Sequence, residues 1–139
     1  MYSVERTEYG IKLVLAGIIN HDEAISWHRE FIAELDKITS EFTVFVDMRE
    51  LQPISHLVQV EFEKVQSAAW KSGMKGSVVI VNSQVVKRQF QEIAQQSGIF
   101  ARERYIDASS TPDWAQAGLD WLENRIDPDT RKREPVPSL

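Results

Sequence analysis

The sequence predicts an α/β domain, a mainly parallel sheet that opens with an N-terminal β-hairpin and carries about four flanking helices. Three observations predict it. Two apolar runs rich in β-branched residues, "FTVFVDM" from Phe42 and "SVVIVN" from Ser77, have the composition of central strands buried on both faces, the habit of parallel sheets covered by helices. Amphipathic stretches at helical spacing alternate with these runs, a pattern whose short connections favour right-handed crossovers. Ahead of them an alternating apolar and polar segment turns at Tyr9-Gly10, which forces at least one antiparallel strand.

The elements follow in order. The hairpin occupies Tyr2 to Leu15, with its second arm, "IKLVLAGII", ending near Gly17. In "NHDE" Asn20 can accept a hydrogen bond from the amide of Glu23, a helix start. The first helix then runs to about Ile38, and Ala24, Ile25, Phe31, Ile32, Leu35 and Ile38 make its buried face. After the strand at Phe42, a second helix spans roughly Ile54 to Ser72, with Leu57, Val58, Phe62, Val65, Ala68 and Ala69 along one arc. Gly73 closes it and Met74 packs back on its last turn, with Gly73 and Gly76 reading as terminator and turn.

A third helix starts at Ser83 and covers about Gln84 to Ser97, presenting Val86, Phe90, Ile93 and Ala94 before Gly98-Ile99 end it. "RERYIDA" is a fifth extended segment. In the stretch that follows, Thr111 suits a helix cap and Pro112 the first helical position, so the fourth helix runs from there to near Ile126. One domain, residues 1–126, is therefore expected. Residues 127–139, with three prolines and almost no apolar content, are expected to form a flexible tail.

Composition excludes several classes of function. The 139 residues contain no cysteine, which removes disulfides, thiol nucleophiles and cysteine-bound metals, and agrees with a cytoplasmic location. Glu5, Arg6 and Glu8 stand where a signal peptide would need apolar residues, and no stretch is long enough to span a bilayer, so membrane insertion is not expected. A net charge of -5, with basic residues interspersed among acids, argues against nucleic acid as a partner.

With this element order in hand, the chain resembles the STAS fold of anti-sigma-factor antagonists. More specifically, it is similar to the SpoIIAA-like group, which sits between STAS domains and the CRAL-TRIO lipid-binding domains. "LVLAGIINHDEA", "FTVFVDMREL", "KSGMKGSVVIVNS" and "DWAQAGLDWL" carry the resemblance, which extends from Tyr2 to about Ile126. The resemblance implies a non-enzymatic regulatory or protein-interaction module that meets a protein partner or itself as a homodimer. Through the CRAL-TRIO side it implies an alternative, a carrier or sensor of a small apolar, lipid-like ligand. Phosphorylation-regulated STAS domains carry an Asp-Ser-Ser-Gly element at the start of the helix after this strand; here the place reads "SHLV", Ser55 to Val58, without the serine pair or the glycine. The usual phosphoacceptor motif is missing, and the kinase circuit is not carried over.

Seven residues stand out as ligand- or partner-binding candidates. Asp47 and Arg49 lie at the C-terminal end of a parallel strand, where open α/β sheets place ligands, although Arg49 can equally pair with Asp47 or Glu50. Ser55 reads first as a helix cap and second as a phosphoacceptor, with His56 beside it. His28 falls in the apolar face of the first helix and Glu61 in that of the second, so each needs a partner: one another, a backbone group or an enclosed ligand. Trp70 projects away from the apolar arc; it and the Trp114/Trp121 edge mark either a contact surface or burial under loops. An enzyme would need Asp47 or Glu61 to converge with His28 or His56, which no spacing demands, and no catalytic residue is assigned. The three histidines lack the spacing of helix-borne metal sites, and no glycine-rich phosphate loop is present, so neither metal nor cofactor is expected.

Overall fold

The computed structural model describes residues 1–130. The order is β1 (Tyr2–Arg6), β2 (Gly10–Leu15), α1 (His21–Leu35), β3 (Phe42–Met48), α2 (His56–Lys71), β4 (Met74–Val81), α3 (Gln84–Ser97), β5 (Glu103–Asp107) and α4 (Trp114–Asn124), with a single 3-10 turn at Phe100–Arg102. The five strands lie in the order β1-β2-β3-β4-β5, so each neighbours its predecessor. Only β1 runs antiparallel, as the hairpin requires. The two apolar runs lie side by side in parallel, Phe45 opposite Val78 and Val46 opposite Val79.

Sequential strand order decides where the helices go. Three right-handed crossovers stepping in one direction deliver α1, α2 and α3 to the same face of the sheet. There Leu13, Leu15, Val46 and Val79 meet Trp27, Phe31, Phe62, Val65, Phe90 and Ile93 in the larger core. Trp27 stacks on Phe31 at 5.7 Å and Phe62 meets Phe90 edge-on at 5.0 Å. With no sixth strand among the described residues to return to, α4 folds onto the other face, where Ala117, Trp121 and Leu122 cover Phe45, Val78, Ile80 and Ile106.

Local chemistry sets the element ends. The side chains of Asn20, Ser55 and Ser83 accept from the backbone N–H of Glu23, Val58 and Val86, three helix caps of the same kind. Gly10 sits at φ +153, and a Cβ there would lie 2.1 Å from the carbonyl oxygen of Thr43, so only glycine lets β2 close on β3.

Several expectations need correction. The first helix ends at Leu35 rather than Ile38, and the second begins at His56. Met74, Lys75 and Gly76 are not a turn but the start of β4. The last helix starts at Trp114 with Asp113 as its cap residue, while the carbonyl of Thr111 accepts from Trp114 in the preceding turn. Leu57, placed on the buried arc of the second helix, is 60% exposed. Trp27, which that reading left out, is buried at the centre of the core. The tail expected from residue 127 lies outside the described residues from 131 to 139, whereas Asp127–Thr130 form a turn held by an Arg104–Asp127 pair at 3.1 Å.

Candidate functional site

The C-terminal rim of the sheet is laced together by side chains and loop backbone. Arg49 donates Nε to Asp47 Oδ1 and Nη2 to Oδ2, each at 3.0 Å, and its backbone N–H adds a third bond to Oδ1 at 3.1 Å. Burial alone would raise the Asp47 carboxyl, but the hydrogen bonds and charge of Arg49, with help from Lys12, hold it below the usual carboxylate range. The guanidinium of Arg49 lies 4.1 Å over the ring of Trp114, so this arginine joins the β3 end to α4. At the end of β5, Asp107 accepts from Ser109 N and Oγ and from Gln84 Nε2, and those bonds, the Ser109 hydroxyl first, lower its carboxyl.

Three exposed apolar side chains rise from the same rim. Ile18, Leu57 and Val85 are 80%, 60% and 57% exposed; Ile18 lies in the loop between β2 and α1, and Leu57 and Val85 on the first turns of α2 and α3. Backbone bonds from Gly17 to Glu50, at 2.8 Å, and from Gln52 to Gly17, at 3.0 Å, tie the Ile18 loop to the one before α2. The Gln89 amide brackets Ile54, accepting its N–H and donating to its carbonyl at 2.9 Å each, and Val85 lies one turn before Gln89 on α3. The two loops and the start of α3 are thus fixed to one another, and Ser55 and His56 are exposed beside Leu57. Ser55 Oγ caps α2 through the amide of Val58 at 3.4 Å.

His28 and Glu61 do meet. Across the α1/α2 interface His28 Nδ1 lies 2.8 Å from Glu61 Oε2, and Lys64 Nζ donates to Oε1 at 3.2 Å. The bond from His28, then that from Lys64, hold the Glu61 carboxyl low despite its burial. This pair belongs to the helix layer on one face of the sheet, whereas Asp47 and Arg49 reach Trp114 on the other. The two sets do not share a pocket. Trp70, at the far end of α2, is 37% exposed beneath the guanidinium of Arg102, 3.9 Å above its ring.

A buried polar cluster went unforeseen. Glu103 accepts from Ser77 Oγ at 3.0 Å and shares a 2.5 Å hydrogen bond with Tyr105 Oη, which also donates to the carbonyl of Phe90 at 2.9 Å. One tyrosine proton cannot serve both oxygens, so a protonated Glu103 that donates to Tyr105 satisfies every partner. Burial pushes the Glu103 carboxyl up to about 7, against the lowering effect of both hydroxyls. Glu103 and Ser77 line a cavity of about 40 Å³ among Trp27, Phe62, Phe90 and Val79. That is room for a water or two, and Trp27 Nε1 on its wall has no partner among the described residues. The available signal was the two-residue period of a strand, which puts Glu103 and Tyr105 on one face; the register opposite Ser77 was not legible.

Among the described residues no group of three His, Asp or Glu side chains could hold a metal ion, and no helix is long and apolar enough to cross a membrane. No protein-family model and no curated protein matches the sequence. Among solved structures, the NMR structure of the protein TM1081 is similar, with a TM-score of 0.57 over 84% of this chain and 89% of that one, at 13% identity. A likeness at that identity shows the fold alone, and the chain is an α/β fold with a five-stranded mixed sheet and four helices.

Proposed function

We propose that this is a STAS-like, SpoIIAA-like interaction module, cytoplasmic and non-enzymatic, that engages a protein partner through the C-terminal rim of its sheet. One observation carries the reading: Ile18, Leu57 and Val85 are exposed at three successive strand-to-helix junctions, Ile18 in a loop and the other two on the first turns of α2 and α3, and hydrogen bonds tie these junctions to one another. Folding leaves large apolar side chains in water at a cost, and a set of them held rigidly at one rim is the form that an interaction surface takes. Ser55, His56 and the Asp47–Arg49–Trp114 bridge provide its polar border. In this reading Arg49 positions the β3–α2 loop, and Ser55 sets the start of the helix that displays Leu57.

The test is recovery of a stable complex from the native host by the wild-type chain and by an Ile18→Ser, Leu57→Ser, Val85→Ser variant, with sedimentation of the purified chain alongside. A defined complex or self-association that the variant loses is the expected result. A strict monomer with no retained partner, or equal recovery by the variant, would refute the reading.

The alternative is a carrier or sensor of a small apolar ligand, and the buried cavity beside Glu103 is the observation in its favour. At about 40 Å³ that space is well short of an acyl chain, so the helices would have to part from the sheet before a lipid entered. Native mass spectrometry of gently purified protein distinguishes the two readings through any retained small molecule.

A further inference from the structure

The opposite rim, where β4 and β5 begin, gathers cations and apolar side chains. Trp70 and Lys71 end α2, Lys75 lies at the start of β4, Phe100 and Arg102 belong to the 3-10 turn, and Arg125 and Ile126 follow α4. Trp70, Arg102, Lys75 and Arg125 are joined directly, and Lys71, Phe100 and Ile126 flank them along the chain. Arg102 covers Trp70, while Arg125 Nη2 donates to the carbonyl of Lys75. The Arg125 guanidinium fills the space a side chain at Gly76 would take: a Cβ there would lie 2.7 Å from Arg125 Nη1 and 3.6 Å from the carbonyl of Arg102, so both halves join at that glycine. Trp70, Phe100 and Ile126 are 37%, 42% and 48% exposed.

The charge here opposes that of the molecule. In a chain of net charge -5, Lys71, Lys75, Arg102, Arg104 and Arg125 lie at the element ends of this rim, Arg104 and Arg125 both over the ring of Trp121. The acids that pair within the cluster, Asp127 and Asp129, both lie on Arg104. Glu41 stands at its border, where Phe42 bonds the carbonyl of Gly73, and Glu123 lies on the side of Tyr9. The negative ends of α2 and α4 account for Lys71 and Arg125 as ordinary helix-end cations. They do not account for Lys75 and Arg102, which lie outside both helices.

We propose that this rim docks the protein on an anionic membrane surface, with Trp70, Phe100 and Ile126 seated among the lipid headgroups and Lys71, Lys75, Arg102 and Arg125 against their charges. Aromatic and branched apolar side chains set among cations make up the pattern of interfacial anchors. The sixteen residues of α2 separate this rim from Ser55 and Leu57 by about 24 Å, so lipid and partner would be engaged at once from opposite ends.

Vesicle sedimentation with the full chain tests the proposal, using phosphatidylcholine alone and phosphatidylcholine with about a third phosphatidylserine. Binding to the mixed vesicles only, weakened by added salt, is expected. Each cation removed lowers affinity about five-fold, so a Lys71→Glu, Arg102→Glu variant with an unchanged circular dichroism spectrum loses at least about twenty-five-fold. Trp70→Ser weakens the binding that persists in high salt, and Leu57→Ser leaves it unchanged. Equal binding to both vesicles, no binding to either, or wild-type affinity in the charge-reversed variant overturns the proposal. Retention of soluble polyglutamate with no binding to vesicles overturns it too, in favour of an acidic protein surface.

Discussion

The carboxyl of Glu103 and the hydroxyl of Tyr105, two residues apart on one strand, share a hydrogen bond inside the apolar layer between sheet and helices. The proton that joins them ties folding to pH. Glu103 has a folded value of about 7 against an ordinary value of 4.5, so between those limits the unfolded chain has released a proton that the folded chain keeps. Its contribution to stability is whole below pH 4.5 and is lost as pH rises through 7, a fall of about 3 kcal/mol. Denaturant melts across that range should show the decline in the wild type and a flatter profile in Glu103→Gln, whose amide reproduces the hydrogen-bond pattern of the protonated acid. Parallel profiles would disprove the assignment.

His28 and Glu61 behave in the opposite sense. The Glu61 carboxyl is held below its ordinary value, so the stability it brings is present above about pH 4.5 and is lost as pH falls through the depressed value. A double-mutant cycle with His28→Ala and Glu61→Gln is expected to give a coupling of about 1 to 2 kcal/mol at pH 6, fading in acid. Lys64 still reaches Glu61 in the His28 variant, which limits the loss.

At Gly118 α4 lies directly against the side chains of the sheet. A Cβ at this position would lie 2.6 Å from Phe45 Cε2 and 3.3 Å from Val78 Cγ1. Alanine gains about 1 kcal/mol of helix propensity but overpacks an aromatic ring, which costs about 1 to 3 kcal/mol. Gly118→Ala is therefore expected to lower stability by about 1 kcal/mol. In a Phe45→Leu background the same substitution should cost less, and an undiminished cost would show that the ring is not the obstacle.

Ser55→Ala is expected to cost about 1 kcal/mol by orphaning the amide of Val58, while Ser55→Asp, also a good cap, should hold near wild type. Chemical denaturation of both variants checks this. Equal losses would mean that the cap contributes little and that the exposure of Ser55 to a partner is its main property.

Much of the body was legible because its signals are local. Asn20, Ser55 and Ser83 mark helix starts by their own chemistry, and the β-branched runs mark strands that need burial on both sides. What failed depends on long-range geometry. Leu57 lies about 100° around the helix from Val58 and falls in the first turn, outside the stripe of Val58, Phe62, Val65 and Ala69 that faces the sheet. The Lys75–Gly76 segment has the composition of a turn, but β3 pairs with it, Phe42 opposite Met74 and Thr43 opposite Gly76, with Lys75 at the irregularity between them. Of the candidate residues, helical periodicity exposed the misfit of His28 and Glu61, and the structure joins them. The Glu103 cluster escaped because it forms across β4 and β5, and nothing within either segment specifies that register.

The strand order bears on how the chain is made. Every strand after the first joins the edge left open by the one before it, so a polypeptide emerging from the ribosome can extend its sheet in the order of synthesis, without threading a late strand between earlier ones. Helix α4 emerges after all the strands, and until it docks, Phe45, Val78 and Ile80 lie bare on that face. The interval before α4 closes is when a nascent chain is most open to aggregation and to capture by chaperones.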